Sequence, residues 1–531
     1  GPADSIGRLQ SVHHKVSRVG MIASRRKREP PMSHPPQHSA SWNHISRRSA
    51  YFNPRRLEFL LLAAFCMALI FVWAHAARGE GGEPRYFAIR GARIVPVDGP
   101  VIENGTVVVA KGLIAAVGTN VEIPPEAWVI DGKGLTVYPG LIDAGDNLAL
   151  PPTEKSSDAE NSQSSAIPAN ISMGPEDRPA STPWRVAANE LNPSDKRITA
   201  WRNAGFTTVL TSPDDGILPG QGSLIDLEGD RAGGMVVKAA ATVPISLHPL
   251  TGIADAFPDS LMGSIAYVRQ VFDDASWYAE ARPVYEANRN RYERPAYDRT
   301  ERVIAQARQR NELFLLPGNN SVRILRALRL ASEWKLRAAI YGGQQGYAVV
   351  PEIAASKIPV LVSLKWPAPP KDPDPDPDAQ PTLRELRFRD RAPGTPAALA
   401  KAGILFAFYS DGLSSPKEIF KGVKKAMDAG LSPHAALRAF TLNAAEILGE
   451  GDRLGSIAPG KIANLVVTDG DLFGEKAKVK YVFVDGRWFE IHEEAESGKP
   501  GDHENSGEDD APEQVTRAAA TRNAGAAGAS R

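Results

Sequence analysis

The sequence predicts an α/β fold, a modified TIM (β/α)8 barrel accompanied by a small β-unit drawn from both ends of the folded region. Between residues 138 and 452 short apolar runs alternate with helical patterns, which is the signature of a parallel sheet with helical crossovers. On either side, at 85–137 and 453–491, short strands are separated by glycine-punctuated turns. A barrel of this layout places its functional residues on the loops that follow the strands.

Within the first block the strands are Phe87–Ile89, Arg93–Val95, Thr106–Val109, Leu113–Val117 and Ala127–Ile130, with Gly105, Gly112, Gly118 and Gly132 at the breaks. The barrel opens at Tyr138–Asn147, and a polar, proline-containing stretch over 148–183 is too irregular for regular elements. A helix over Ser194–Asn203 leads into the strand Phe206–Leu210, and Ser223–Leu227 with Met235–Ala240 reads as a strand pair. Residues 254–311 have a helical pattern broken by Pro283 and Pro295. Further strands follow at Leu313–Leu316, Arg337–Tyr341, Pro359–Leu364 and Leu405–Tyr409. The insertion Trp366–Pro381, which alternates proline with aspartate, is expected to be an extended, solvated strut at the barrel mouth. The last block has strands at Leu465–Val467, Val479–Val484 and Arg487–Ile491.

The 531 residues carry a formal net charge of zero, unevenly spread. Residues 1–56 form a basic arm with eleven Lys/Arg and two acids, whereas the chain after Ala77 has 51 basic and 59 acidic residues. The folded part is therefore mildly acidic and has no basic patch suited to nucleic acid. The only cysteine is Cys66, so an intrachain disulfide, a thiolate metal site and a cysteine nucleophile in the body are excluded. Phe59–Ala74 is an apolar run of 16 residues after Arg55-Arg56, followed by Ala74-His75-Ala76. Segment 57–77 is thus expected to be a cleaved signal peptide or an uncleaved membrane anchor, with the barrel exported to the periplasm or tethered outside the cytoplasm. The acidic tail at 492–531 lacks aromatic residues and is expected to be disordered.

The run Tyr138-Pro139-Gly140-Leu141-Ile142-Asp143 resembles the first barrel strand of the amidohydrolase superfamily, in the imidazolonepropionase-like branch. Leu454–Val467, together with the strands at 86–137, resembles the two halves of the discontinuous β-sandwich of that family. The resemblance implies a divalent metal at the barrel mouth that activates water to hydrolyse amide or cyclic-amide C–N bonds. It also implies where the ligands should be. The family's His-x-His falls on Gly145 and Asn147, its third histidine on Pro317, its fourth on Gly342, and its aspartate on Asp411. Only His248 and His434 fall within the barrel segment, so four imidazole positions lack a donor.

Asp411 is the candidate catalytic residue, although Asp-Gly at a strand end is also ordinary turn chemistry. Asp146, Asn147, Lys238 and Asn319 are candidate binding residues, and Lys238 matches a position where related barrels carry a lysine. Gly216–Gly222 could cradle an anion or serve only the fold. The expected outcome is an exported family member that has lost hydrolysis, has no cofactor and binds a small molecule or a protein partner, such as an intact homologue. The alternative is an active hydrolase with one divalent ion, zinc or similar, held by the oxygens of Asp411, Asp146 and Asn147. A third scheme pairs Asp411 with Lys238 in metal-free acid/base chemistry.

Overall fold

The computed structural model describes residues 86–151, 178–229, 231–249, 257–369, 381–474 and 477–492. The basic arm, the apolar segment 57–77, most of the Pro/Asp insertion and nearly all of the acidic tail lie outside the described residues. Among the described residues no helix is long and apolar enough to cross a membrane.

The outer strands form one sheet. β1 (Tyr86–Ile94), β2 (Ile102–Ala110), β3 (Leu113–Gly118), β4 (Trp128–Asp131) and β5 (Thr136–Pro139) join β14 (Leu465–Thr468), β15 (Val479–Val484) and β16 (Arg487–Glu490). The two chain ends meet where β5 pairs antiparallel with β14, from Thr136 opposite Thr468 to Pro139 opposite Leu465. Phe87, Ile89, Val107 and Val109 from the first half share one core with Leu465, Val467 and Phe483 from the second. The sequence separates Phe87–Ile89 from Arg93–Val95, but β1 runs continuously through both, and the glycine between them is absorbed as an irregularity at Arg90–Ala92.

The second sheet is the barrel wall, made of β6 (Leu141–Asp146), β7 (Phe206–Thr211), β8 (Gly222–Asp226), β9 (Val236–Pro244), β10 (Leu313–Pro317), β11 (Ala338–Gly342), β12 (Val360–Ser363) and β13 (Phe406–Tyr409). Neighbouring strands are parallel except β8, which is antiparallel to both β7 and β9. The short β7–β8 connection reverses the chain without a helical crossover, and this is the modification of the (β/α)8 plan. Alternate strand residues fill the lumen with Ile142, Ala144, Leu210, Leu224, Leu313, Leu315, Leu361 and Ala407. The other face, including Phe206, Phe314, Leu316, Val360 and Phe408, packs under the helices.

Gly140 is the joint between sheets. Its N–H donates to the Asn464 carbonyl (2.8 Å), while a Cβ there would overlap the Thr207 side chain. The boundary therefore falls two residues later than the sequence suggests, because Tyr138 and Pro139 pair with β14. Beside this joint lies a buried polar knot in which Asp226 accepts hydrogen bonds from Thr208 Oγ1 (2.6 Å) and Asn464 Nδ2 (2.9 Å). Burial raises the Asp226 carboxyl to a pKa of about 7.

Two local expectations change. Pro283 lies inside the helix Leu261–Ala287 rather than ending it. Its ring removes one hydrogen bond, but Arg282 bonds Tyr278 Oη (3.1 Å) and Glu286 (2.6 Å) around it, and the helix runs one more turn. Trp366 is not part of a solvated strut. It is 8% exposed in the core, and its indole N–H donates to the Gly422 carbonyl (2.8 Å).

Candidate functional site

The seven parallel strands of the barrel wall deliver their C-terminal ends to one mouth, where a cavity of about 310 Å³ opens. Leu210, Leu315 and Leu361 form its apolar floor, with Tyr341 and Tyr409 beside them. Asp146, Asp214 and Asp411 supply its carboxylates, and among the described residues no lysine or arginine lines it.

The first and last strands meet on one side of this mouth. Among the described residues no main-chain ladder joins β13 to β6, and side chains bridge the seam instead. Ser410 N–H donates to Asp143 Oδ1 (2.9 Å), and Ser410 Oγ donates to Asp146 Oδ2 (2.7 Å). Asp143 is 1% exposed; its Oδ1 also accepts from Gly145 N–H (3.2 Å), but its Oδ2 has no partner among the described residues. Burial first, then the neighbouring Asp146 charge, pushes the Asp143 carboxyl up to about 7. Asp146 is raised as well, chiefly by burial, against the opposing hydrogen bond from Ser410.

Asp411 reaches the same mouth from the far side of the seam. Its φ of +57° is in the left-handed region, where aspartate is among the tolerated residues, and Gly412 follows at +69°. This turn aims Oδ2 at Ser363 Oγ, which donates to it at 2.7 Å. Desolvation raises the Asp411 pKa, opposed by the Ser363 hydrogen bond and by the Lys365 charge. Tyr409 is buried and Tyr341 partly buried beside it, and both phenols are shifted upward by desolvation and then by the Asp411 charge.

Of the other predicted residues, Asn147 is at the mouth, with its side-chain oxygen accepting from Arg197 Nη1 (2.9 Å) and its amide 3.5 Å from Asp214. Asn319 does not line the cavity; it lies at the end of β10 over Gly342. Lys238 is at the opposite end of the barrel, near the start of β9, bonded to the Leu448 carbonyl (3.2 Å) and paired with Glu450 (3.1 Å). Asp411 and Lys238 therefore share no cavity, which removes their acid/base pairing. The glycine stretch 216–222 serves packing: a Cβ on Gly216 would come 2.5 Å from the Ala180 carbonyl, and one on Gly222 would overlap Ser212 and Thr242. His434 is exposed in the first turn of the helix Pro433–Phe440.

The residues present do not fit an imidazole-held divalent ion. A Cβ on Gly145 would lie 3.2 Å from the Tyr409 ring, so a histidine there would crowd the tyrosine. A Cβ on Gly342, whose φ is +99°, would lie 2.7 Å from Asn319 Oδ1. Pro317 is buried as the last residue of β10. Among the described residues no cluster of three histidines, cysteines or acids could hold a metal. The oxygens of Asp146, Asn147 and Asp411 accept hydrogen bonds from Ser410, Arg197 and Ser363 respectively.

Sequence reasoning missed Tyr409, Ser410, Ser363 and the placement of His248. Ser410 directly precedes the recognised Asp411, so that motif carried the signal. His248 lines the mouth, its Nδ1 2.8 Å from Ser246 Oγ, although its loop-like Ser-Leu-His-Pro context suggests only surface.

An amidohydrolase family model matches residues 379–489. The amidohydrolase tasK of Hapsidospora irregularis is 24% identical over 415 residues, covering 72% of this chain. The chain spans only 39% of the length of that relative. An amidohydrolase of known structure from Thermotoga maritima is 26% identical with a TM-score of 0.63, covering 76% of this chain and 100% of its own.

Proposed function

We propose that this chain, whose likeness to amidohydrolases supports membership of that superfamily, binds a small organic ligand at its barrel mouth without carrying out metal-dependent C–N hydrolysis. One observation carries this reading: the positions that would present imidazoles carry no donor, and a side chain added at two of them would crowd a neighbour. Tyr409 lies over Gly145, and Asn319 lies over Gly342. A single lost histidine could be replaced by a neighbour, but four positions without a donor are harder to compensate. The concave, apolar-floored mouth with a few polar groups is the kind of surface on which small ligands bind.

The accompanying reading is of an exported protein, periplasmic or held at the membrane by segment 57–77, acting beside a partner such as an intact homologue. The apolar run and its Ala-x-Ala flank support that reading.

Metal analysis of the purified protein, with turnover assayed on amides, lactams and dipeptides before and after chelation, is the test. Substoichiometric metal and no chelator-sensitive turnover are expected. A stoichiometric divalent ion, lost together with activity in Asp411→Asn, would instead establish the oxygen-ligated hydrolase.

A further inference from the structure

A second cavity lies on the outer wall of the barrel, apart from the mouth. It has a volume of about 370 Å³ and opens between the helix Leu261–Ala287, the helix Arg299–Gln309 and the turn that leads into β11. Phe314 lines it from β10, whereas the next residue, Leu315, lies on the floor of the mouth. One strand therefore separates the two cavities, because successive side chains leave it on opposite faces. Ala275, Ala279, Ala305, Trp334 and Leu336 complete the apolar lining.

Three cations, Arg308, Lys335 and Arg337, share this lining with two acids, Glu280 and Glu312. Arg308 is held in place from below. Ser276 Oγ donates to the Phe272 carbonyl (2.8 Å) and accepts from Arg308 Nη1, while the guanidinium carbon stands 5.9 Å from the centroid of the Phe272 ring. That ring is itself stacked on Trp334, with centroids 4.2 Å apart. These contacts occupy one nitrogen and leave the remaining N–H groups of the fork unspent. Arg337 gives Nη2 to the Ile447 carbonyl (3.0 Å). Among the described residues none of the three cations is paired with an acid. Glu312 pairs instead with Arg310 (3.7 Å), and Glu280 is exposed. A partly desolvated guanidinium gains from a carboxylate counter-charge, and the chain supplies none to Arg308.

We propose that this outer cavity binds a small organic carboxylate, with its carboxylate on the Arg308 guanidinium and its hydrocarbon part against Phe314 and Trp334. The planar fork matches the two oxygens of a carboxylate, and Lys335 and Arg337 add charge of the same sign. Because Ser276 already fixes the guanidinium, little rotamer freedom is lost on binding. The apolar lining sets the class apart from inorganic phosphate, which would leave that surface uncovered. The volume falls in the range of small-molecule sites, about 300–1,000 Å³.

Photolabelling of the full chain with 4-azidobenzoate, mapped by mass spectrometry, tests this against 4-azidobenzamide, a neutral probe of nearly the same shape. Labels within 275–280, 305–314 or 334–337 are expected from the carboxylate. Their yield should exceed that from the amide by about tenfold, the worth of one charge-assisted pair. Excess benzoate should compete, and excess inorganic phosphate should not. Arg308→Gln should lower the yield about tenfold with an unchanged circular dichroism spectrum, and Arg308→Lys, which keeps the charge without the fork, should fall between. The comparison of the two probes is made on the unsubstituted chain, so it holds even if a variant fails to fold. Equal labelling by the amide, or labels confined to mouth residues such as 244–248, would overturn the proposal. Competition by phosphate as strong as that by benzoate would overturn the organic class in favour of a simple oxyanion.

Discussion

The two ends of the barrel are built from the same strands yet treat their polar groups in opposite ways. At the floor, where the strands begin, Lys238 and Arg337 reach carbonyl oxygens at the end of the helix Leu442–Leu448, at 3.2 and 3.0 Å, and Lys238 also pairs with Glu450. That helix closes the lumen with Ala444, Ala445, Ile447 and Leu448. At the mouth, Asp143 Oδ2 and Ser212 Oγ are buried without partners among the described residues, three carboxyls are shifted upward, and Asp411 adopts a left-handed backbone. Buried polar groups are normally satisfied, and exceptions gather where a structure serves something other than stability. The floor is a stabilising plug, and the mouth is the end left free for function.

This contrast can be broken by substitutions at either end. The largest effect is expected at the floor: Leu448→Ala opens a cavity in a fully buried site and should cost about 3 kcal/mol in urea unfolding. It should leave ligand binding at the mouth unchanged. If Leu448→Ala abolished binding without unfolding the chain, the two ends would not be separable. Next, Gly145→His presses a side chain against Tyr409 and should cost about 2 kcal/mol. Tyr409→Ala in the same chain should recover part of that loss without restoring stoichiometric zinc binding, since Pro317 and Gly342 still offer no donor.

A smaller effect is expected in the pH profile. Asp143 has a folded pKa of about 7 against an ordinary carboxyl value near 3.8, so between those values the folded state binds more protons than the unfolded chain. Stability therefore falls as pH rises from about 4 to 7 and levels off above that. Asp143→Asn should flatten the profile and stabilise the protein at pH 8 relative to pH 4. Asp226, also raised to about 7, contributes a second share over the same window, so the double variant with Asp226→Asn should be flatter still. Thermal melts across this range check it; an unchanged slope in both variants would show that these carboxyls do not govern it. The smallest change is Ser363→Ala, which removes the donor to Asp411 and should raise the Asp411 pKa further, with a stability cost of about 1 kcal/mol. Carboxyl titration by NMR reads it directly.

Most of the frame could be read from the chain. The strands β7 and β10 to β13 fall on the predicted apolar runs, because each is a short buried segment bounded by polar or glycine-containing loops. The Ser223–Ala240 region was legible as a strand pair, and the structure shows β8 reversed between two parallel neighbours. Pro283 is carried because Arg282 braces the helix through Tyr278 and Glu286, one turn to either side, whereas Trp366 is buried by a contact from elsewhere in the fold, Gly422. The site was half legible. Asp146, Asn147 and Asp411 stand at the mouth as expected, whereas Lys238 and Asn319 do not line it.

The sequence by itself determined the barrel, its paired outer strands and the missing imidazoles, because periodicity and residue type are local properties that need no partner to be read. Only the tertiary structure decided what became of the missing positions. That Tyr409 crowds the space above Gly145, 264 residues away in the chain, and that Ser410 ties Asp143 and Asp146 across the barrel seam, follows from closing the sheet. Closure brings the first strand against the last, and no pattern within either one specifies which side chain will fill the gap between them.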